Sequence, residues 1–438
     1  MEKNEILRVL NDWNSWREDQ TIGVVRDTYL GRLESLLSSN QVITITGPRR
    51  AGKSYLMRQM AKKLTEKGIK KENILLVNFE DPRFTTLDAR LMAQIFDVYR
   101  EFLSPTDMPY IFLDEVQEVE GWEKWVCMMH ELKKAKIVVS GSNAKLLSRE
   151  LGTLLTGRHL DLTVFPLSFT EFLAFNKMTV MDPLTMAGKE IEIRSLFRQY
   201  MEFGSFPEVT LSEQKREILL KYFEDLLVKD LFRRFSVRKP QVMKSLVKYY
   251  LSNAGNLTTF MSAERFLQAS ADTIEKFAGY FEDVYLVFFL NRFSFKVKEQ
   301  EKSPRKVYAI DTGLCNCVGF RFSENVGRLA ENIVFLALRK RQAFNPELEL
   351  YYWKDPQHRE VDFVLKDGTK ITGLIQVCWN LTDEKTRDRE TKSLLIAMDQ
   401  LSVDRAMIIT DDREITEEVK GKKIEYIPLW KWLLANGQ

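Results

Sequence analysis

Apolar and charged residues alternate at helical spacing through residues 1–40, most clearly from Glu5 to Leu10 and from Leu30 to Leu37. The run Gln41-Val-Ile-Thr-Ile-Thr46 breaks that period. It is short, β-branched and followed by Gly47-Pro48, the pattern of a buried strand stopped by a turn. Ser54 to Lys67 returns to a helical period and closes at Gly68. Further strands are expected at Ile74–Phe79, Tyr110–Asp114, Lys136–Ser140 and Leu160–Phe165, with helical patterns between them. Strands this apolar, alternating with helices, predict an α/β fold with a parallel sheet covered on both faces.

After Phe165-Pro166 the pattern changes. Residues 168–290 read as mostly helical, with breaks at Gly204, Pro207, Pro240 and Gly255. Residues 291–310 read as a charged hairpin, and residues 331–410 return to mixed helix and strand. Neither an internal repeat nor a low-complexity tract is visible in the sequence.

Composition adds limits. The chain has 438 residues, enough for two to four domains, and 45% hydrophobic with 29% charged residues is the balance of a globular protein. Lys+Arg is 65 against Asp+Glu 62, so a case for nucleic acid must come from local patches. Three His and four scattered Cys do not build a metal-rich protein and fit a reducing compartment. No run is long and apolar enough to span a membrane, and the first residues carry charges throughout, so a cytoplasmic protein is expected.

The chemistry starts where the first strand stops. Gly47-Pro-Arg-Arg-Ala-Gly52-Lys53-Ser54 has the spacing of a phosphate loop, placed between an expected strand and an expected helix. There the backbone N–H groups turn inward and the helix N-terminus adds partial positive charge. Gly47 and Gly52 permit the tight backbone, Lys53 neutralises the β- and γ-phosphates, and Ser54 ligates Mg²⁺. Pro48, Arg49, Arg50, Ala51 and Tyr55 complete the nucleotide-binding stretch. Tyr110-Ile-Phe-Leu-Asp114-Glu115 supplies two acids at a strand's carboxyl end: Asp114 for the metal and Glu115 to polarise an attacking water. After the fourth strand, Ser142 or Asn143 either orients that water or forms a plain helix-capping turn. Arg158, just before the fifth strand, is a surface cation or one that reaches a γ-phosphate, within the subunit or across an interface.

These motifs carry a family likeness. Residues 40–175 resemble AAA+-type ATPases of an archaeal and bacterial branch, on GPRRAGKS, FLDEVQ, SGSN, TGR and VFPLSFTEFL. GSFPEV (204–209), VKDLFRR (228–234), KVYAIDTGL (306–314) and EVDFVL (360–365) resemble the C-terminal region that accompanies such ATPases. The resemblance implies ATP as the nucleotide, with Mg²⁺, and an assembly if Arg158 acts across an interface.

Two further likenesses divide the remainder. Residues 236–310 resemble a winged helix-turn-helix, with helices from Val242, from Ser262 (as N-cap) and from Ala271, and a wing formed by Arg292–Lys298 and Arg305–Tyr308. Basic residues concentrate at 229–248 (Lys229, Arg233, Arg234, Arg238, Lys239, Lys244 and Lys248) and again from Arg292 to Lys306, as phosphate-contacting surfaces would. The third helix carries Asp272, Glu275, Glu282 and Asp283, so a protein-interaction role stands beside DNA binding. Glu331 on a helix, Asp362 on a strand and Gln376-x-Cys378 on the next resemble the restriction-endonuclease-like fold. Cys378 stands where the family has lysine and Gln376 where it has an acid, so a structural or recognition role is expected in place of cutting. Lys354, Arg359 or Lys366 are the candidate substitutes for that lysine, and Trp353 and Trp379 are expected in the core.

The expected architecture is therefore a P-loop NTPase domain at 1–175, a helical lid or linker at 176–235, a winged-helix domain at 236–310 and an α/β restriction-endonuclease-like domain at 311–438. The expected function is ATP binding and hydrolysis, acting on or with DNA. A nucleotide-dependent switch with a protein partner and an ATP-dependent nuclease are the alternatives.

Overall fold

All five apolar runs of the first part form strands, and all five enter one sheet. In the computed structural model they are β1 (Val42–Thr46), β2 (Ile74–Asn78), β3 (Tyr110–Asp114), β4 (Lys136–Ser140) and β5 (His159–Thr163). Their order is β2-β3-β4-β1-β5, and every pairing is parallel. The described residues are 1–142, 157–180, 182–320, 326–381 and 384–436. Asn143 lies outside them. The chain divides into two compact units, Met1–Phe165 and Pro166–Gln438.

In the first unit, helices α1 (Lys3–Trp13), α2 (Asp27–Leu37), α3 (Lys53–Glu66), α4 (Ala89–Leu103) and α5 (Trp122–Glu131) flank the sheet. Ile6, Val9 and Leu10 of α1 pack with Ile95 and Tyr99 of α4 against Leu75, Val77, Ile111 and Leu113 of the strands. β2 is an edge strand, and Asn14 covers part of that edge. Its side chain donates to Leu76 O (2.8 Å) and accepts from Leu76 N (2.7 Å), doing the work of a neighbouring strand.

The second unit holds two sheets. Helices α6 (Glu190–Phe203), α7 (Pro240–Ser252), α8 (Phe260–Leu267) and α9 (Ala271–Asp283) precede or pack against a three-stranded antiparallel sheet. Its strands β6 (Leu257–Thr258), β7 (Val287–Leu290) and β8 (Arg305–Ala309) run in the order β6-β8-β7. The larger sheet contains β9 (Leu348–Lys354), β10 (Glu360–Asp367), β11 (Lys370–Val377), β12 (Arg405–Thr410), β13 (Ile415–Val419) and β14 (Lys422–Pro428), in the order β13-β14-β12-β11-β10-β9. β11, β12 and β14 are parallel, and the outer pairs are antiparallel. Helices α10 (Thr312–Val318), α11 (Val326–Phe344), α12 (Glu384–Gln400) and α13 (Leu429–Asn436) belong to the same unit, with shorter helices between Phe169 and Arg233.

Several expectations shift. The first compact unit ends at Phe165, and Phe169 and Phe172 pack edge-on against Tyr200 of α6 (5.4 and 5.2 Å between ring centres). The residues assigned to a winged-helix domain and to a C-terminal domain lie in a single compact unit. α8 is capped by Thr259, with Ser262 as the reciprocal partner three residues on, so Ser262 is not itself the cap. The hairpin is β7 with β8, one step earlier than expected: Phe288 pairs with Tyr308 and Leu290 with Lys306. The charged stretch after Arg292 leaves the sheet and forms a short helix at Val297–Lys302.

Candidate functional site

The site of the first unit follows from strand register. β1 and β3 flank β4 in a parallel sheet, so their carboxyl ends emerge along one edge with Ser140 between them. Thr46 leads straight into Gly47, whose φ is +139°. A Cβ at Gly47 would sit 2.1 Å from the Val164 carbonyl oxygen, so only glycine lets the loop pass the end of β5. Gly52, at φ +97°, turns the chain into α3 and caps its start, with Leu56 N donating to Gly52 O at 3.0 Å. Arg50 also takes a left-handed backbone, at φ +68°.

Lys53 is buried, and its ammonium donates to Gly47 O (3.0 Å) and Pro48 O (3.1 Å). It lies 3.9 Å from Glu115 Oε1. Asp114 Oδ1 accepts from the Ser140 hydroxyl, and Glu115 N donates to the same hydroxyl oxygen at 3.1 Å. One serine on the central strand therefore sets both acids. Glu115 sits in the left-handed region at φ +52°, and Gln117 Nε2 donates to its Oε2 at 2.6 Å. Burial pushes the Glu115 carboxyl above the usual range; Lys53 opposes that shift and the neighbouring Asp114 adds to it. Arg49 turns to Glu80, 2.8 Å away. Ser54 is half-buried in the first turn of α3. Tyr55 is exposed, with its ring against Gly23 and 5.3 Å from the Arg58 guanidinium carbon.

The donor set fits a Mg²⁺-bound triphosphate: a hydroxyl at Ser54, a carboxylate at Asp114, one buried ammonium and a loop of backbone amides at a helix start. Ser142 is fully buried just beyond β4. Arg158 is the exception among the expected site residues. It precedes His159, which pairs with Val42 at the amino end of β1, whereas the loop follows Thr46, which pairs with Thr163. The strand's length of about 16 Å separates the two ends. Arg158 is half-exposed there, 3.7 Å from Glu131, and the structure does not bring it to the loop of its own chain.

Two positioning residues were not singled out by sequence. Arg26 is buried, donates to Ala51 O at 2.8 Å and lies 4.4 Å over the Tyr29 ring. Gln59 Nε2 donates to Ile22 O and Val24 O, both at 2.9 Å, holding the preceding segment against α3. Neither belongs to a spacing pattern; only the fold brings Arg26 to the loop and Gln59 to the segment before Arg26.

The acid cluster of the second unit also departs from expectation. Glu331, Glu360 and Asp362 do converge, but around Lys306, whose Nζ lies 2.9, 2.8 and 2.6 Å from them. Lys306 is buried on β8 and belongs to no phosphate-contacting surface. Two others of that basic stretch are also committed: Arg292 donates to Lys354 O, and the Arg305 guanidinium lies 5.6 Å over Phe260, whereas Lys298 and Lys302 are exposed. Of the candidate substitutes for Cys378, Lys354 pairs with Glu360 (3.0 Å), Arg359 with Asp355 (2.5 Å) and Lys366 with Glu349 (2.5 Å). Gln376 accepts from Asp362 N (3.1 Å) and donates to Glu390 (2.8 Å), so it serves as a strut. Cys378 is buried, and burial pushes its thiol up to about 11.

Comparison with known proteins matches the AAA domain over residues 39–173. Two families described as domains of unknown function, DUF8612 and DUF4143, match residues 194–325 and 326–432. Uncharacterized protein MJ1544 of Methanocaldococcus jannaschii is 34% identical over 417 residues, 92% of this chain and 90% of the relative. An uncharacterized protein of Haemophilus influenzae is 29% identical over 417 residues, 93% and 98% of the two chains. Among solved structures, the chain is similar to the Walker-type ATPase PABY2304 of Pyrococcus abyssi, with TM-score 0.45 and 13% identity over 70% of this chain and 97% of that one. It is also similar to AMPPCP-bound DnaA from Aquifex aeolicus, with TM-score 0.26 and 15% identity over 58% and 86%.

Proposed function

The chain belongs to the same family as uncharacterized protein MJ1544 of Methanocaldococcus jannaschii and carries an AAA domain at residues 39–173, and on that premise we propose that it binds ATP with Mg²⁺ in the 47–55 loop and hydrolyses it. The observation that carries this reading is Ser140 bonded to both Asp114 and Glu115, beside Lys53. Ser54 and Asp114 would hold the Mg²⁺, which when bound neutralises phosphate charge and orients the γ-phosphoryl group. Lys53 exchanges its two loop carbonyls for phosphate oxygens. Glu115, held by Gln117, accepts hydrogen bonding from the attacking water and takes up its proton; its raised affinity for protons suits that task. The loop amides exclude bulk water from the phosphates. Arg158 acts, if at all, on a neighbouring subunit's nucleotide.

The second unit is read as the effector. The order helix, strand, helix, helix, strand, short helix, strand from α7 to β8 supports the winged-helix reading, with the short helix in the place of the wing's tip. Six exposed cations at Lys229, Arg233, Arg238, Lys239, Lys244 and Lys248 support contact with DNA phosphates. A protein partner is the second reading, favoured by Met261, Phe266, Phe295 and Val297, which are 59–83% exposed. Steady-state ATP turnover, with and without duplex and single-stranded DNA across a salt series, tests both. DNA stimulation that falls steeply with salt supports the first reading, and turnover indifferent to DNA at low salt favours the second. No turnover under any condition overturns hydrolysis itself.

A further inference from the structure

Three parallel strands of the second unit end side by side, and a cavity opens past their carboxyl ends. β11 stops at Val377, β12 at Thr410 and β14 at Pro428. Trp379, Asp411 and Trp430 follow within two residues and line a cavity of about 680 Å³. In open α/β sheets this is the edge at which ligands bind, and the volume suits a small organic ligand. Sequence alone placed Trp379 in the core; it is half-buried at this cavity, its ring stacked on Phe197 at 6.4 Å.

The lining has a specific chemistry. Arg194 and Arg198 enter from one face of α6, four residues apart, and Arg328 from the first turn of α11. Against these three guanidinium groups stand two carboxylates, Glu202 and Asp411. Burial raises the Asp411 carboxyl, and Arg194 and Arg198 draw it back down. Arg198 and Arg328 have no carboxylate within ion-pair distance among the described residues. The Trp430 indole N–H is buried and has no acceptor. Guanidinium groups recognise phosphate oxygens, and an indole face takes a stacked nucleobase.

We propose that this cavity is a second nucleotide site, separate from the phosphate loop, that takes a nucleoside 5′-phosphate on Arg198, Arg328 and Trp379. The ligand is either free or the 5′-phosphorylated end of a single strand, since the two share that chemistry. No bond is made or broken there. A structural cavity would have closed on apolar side chains; this one gathers more cations than anions around an aromatic wall.

Equilibrium binding to the full-length chain tests it, using 5′-AMP, a 5′-phosphorylated and an unphosphorylated decadeoxynucleotide, and inorganic phosphate. 5′-AMP or the phosphorylated strand binds saturably to both wild type and Lys53→Ala, which separates this site from the loop. Arg198→Gln with Arg328→Gln weakens that binding at least tenfold, and Trp379→Ala at least fivefold, with far-ultraviolet dichroism unchanged. Tighter binding of the phosphorylated strand identifies a strand end; tighter binding of 5′-AMP identifies a free nucleotide. The proposal is overturned if neither probe binds at millimolar concentration. It is also overturned if binding vanishes with Lys53→Ala, survives the arginine pair, or is matched by inorganic phosphate or the unphosphorylated strand.

Discussion

Lys306 Nζ lies 2.6 Å from Asp362 Oδ1, and both side chains are at least nine-tenths buried. Glu331 and Glu360 complete a ring of three carboxylates around one ammonium. The contact joins β8 of the small sheet to α11 and to β10 of the large one. Removing one member of a buried pair leaves the others uncompensated, at a cost of about 3–5 kcal/mol. Lys306→Met is therefore expected to lower the unfolding free energy of the second unit, read from urea denaturation, by that amount. Adding Asp362→Asn should restore part of the loss, because two carboxylates then remain in place of three. A Lys306→Met protein as stable as wild type would mean that the cluster carries no structural role.

The same ring sets a pH dependence. Burial, with Asp362 adding to it, pushes Glu331 up to about 7, because three carboxylates facing one ammonium do not all ionise. Tyr308 donates to Glu331 at 2.7 Å, and Glu360, paired with both Lys306 and Lys354, is held below its ordinary range. Glu331 thus keeps a proton in the folded chain at pH values where the unfolded chain has lost it. Its stabilising contribution is complete below about 4.5 and is lost as pH rises through about 7. At about 1.4 kcal/mol per pH unit, that window is worth about 3 kcal/mol. The stability of wild type relative to Glu331→Gln should fall by this amount between pH 4.5 and 8, read from urea unfolding at each pH.

Lys53→Ala and Glu115→Gln should separate binding from chemistry. Lys53 is the buried cation of the loop, so its loss is expected to weaken ATP binding at least a hundredfold. Glu115→Gln keeps the size and the bond from Gln117 but loses the base. It should bind ATP within a few-fold of wild type while kcat falls by about 10²–10⁴. A stopped-flow binding trace beside a phosphate-release assay reads both effects.

What the sequence disclosed depended on whether the signal was local. The loop from Gly47 to Ser54 and the acids at 114 and 115 are contiguous motifs at strand ends, so spacing was enough to find them. Ser140 was visible only as the last residue of a strand; its bond to Asp114 follows from the sheet order, in which β4 separates β1 and β3. Arg26 acts on the loop from 25 residues before it, Gln59 of α3 holds the segment that leads to Arg26, and no period marks either. Lys306 was misread for the same reason. In a run of basic residues it resembles a phosphate contact, and only its pairing with Leu290 and the approach of β10 reveal an internal ion pair.

Arg158 supplies the last prediction. It stands at the amino end of β5, one strand length from the loop, half-exposed and only loosely paired with Glu131. A cation there contributes nothing to a nucleotide bound in its own chain. If it serves hydrolysis, it does so across an interface, where an added cation is worth about 10³–10⁵ in rate. Turnover per chain should then rise with protein concentration, and Arg158→Ala should abolish that rise while leaving ATP affinity and dilute-solution turnover unchanged. Mixing Arg158→Ala with Lys53→Ala should restore part of the activity, because one interface of a mixed pair joins the intact loop of the first to the intact arginine of the second, while the reciprocal interface carries both defects. Specific activity that is constant from nanomolar to micromolar protein, and the same in Arg158→Ala, would leave Arg158 as a surface residue.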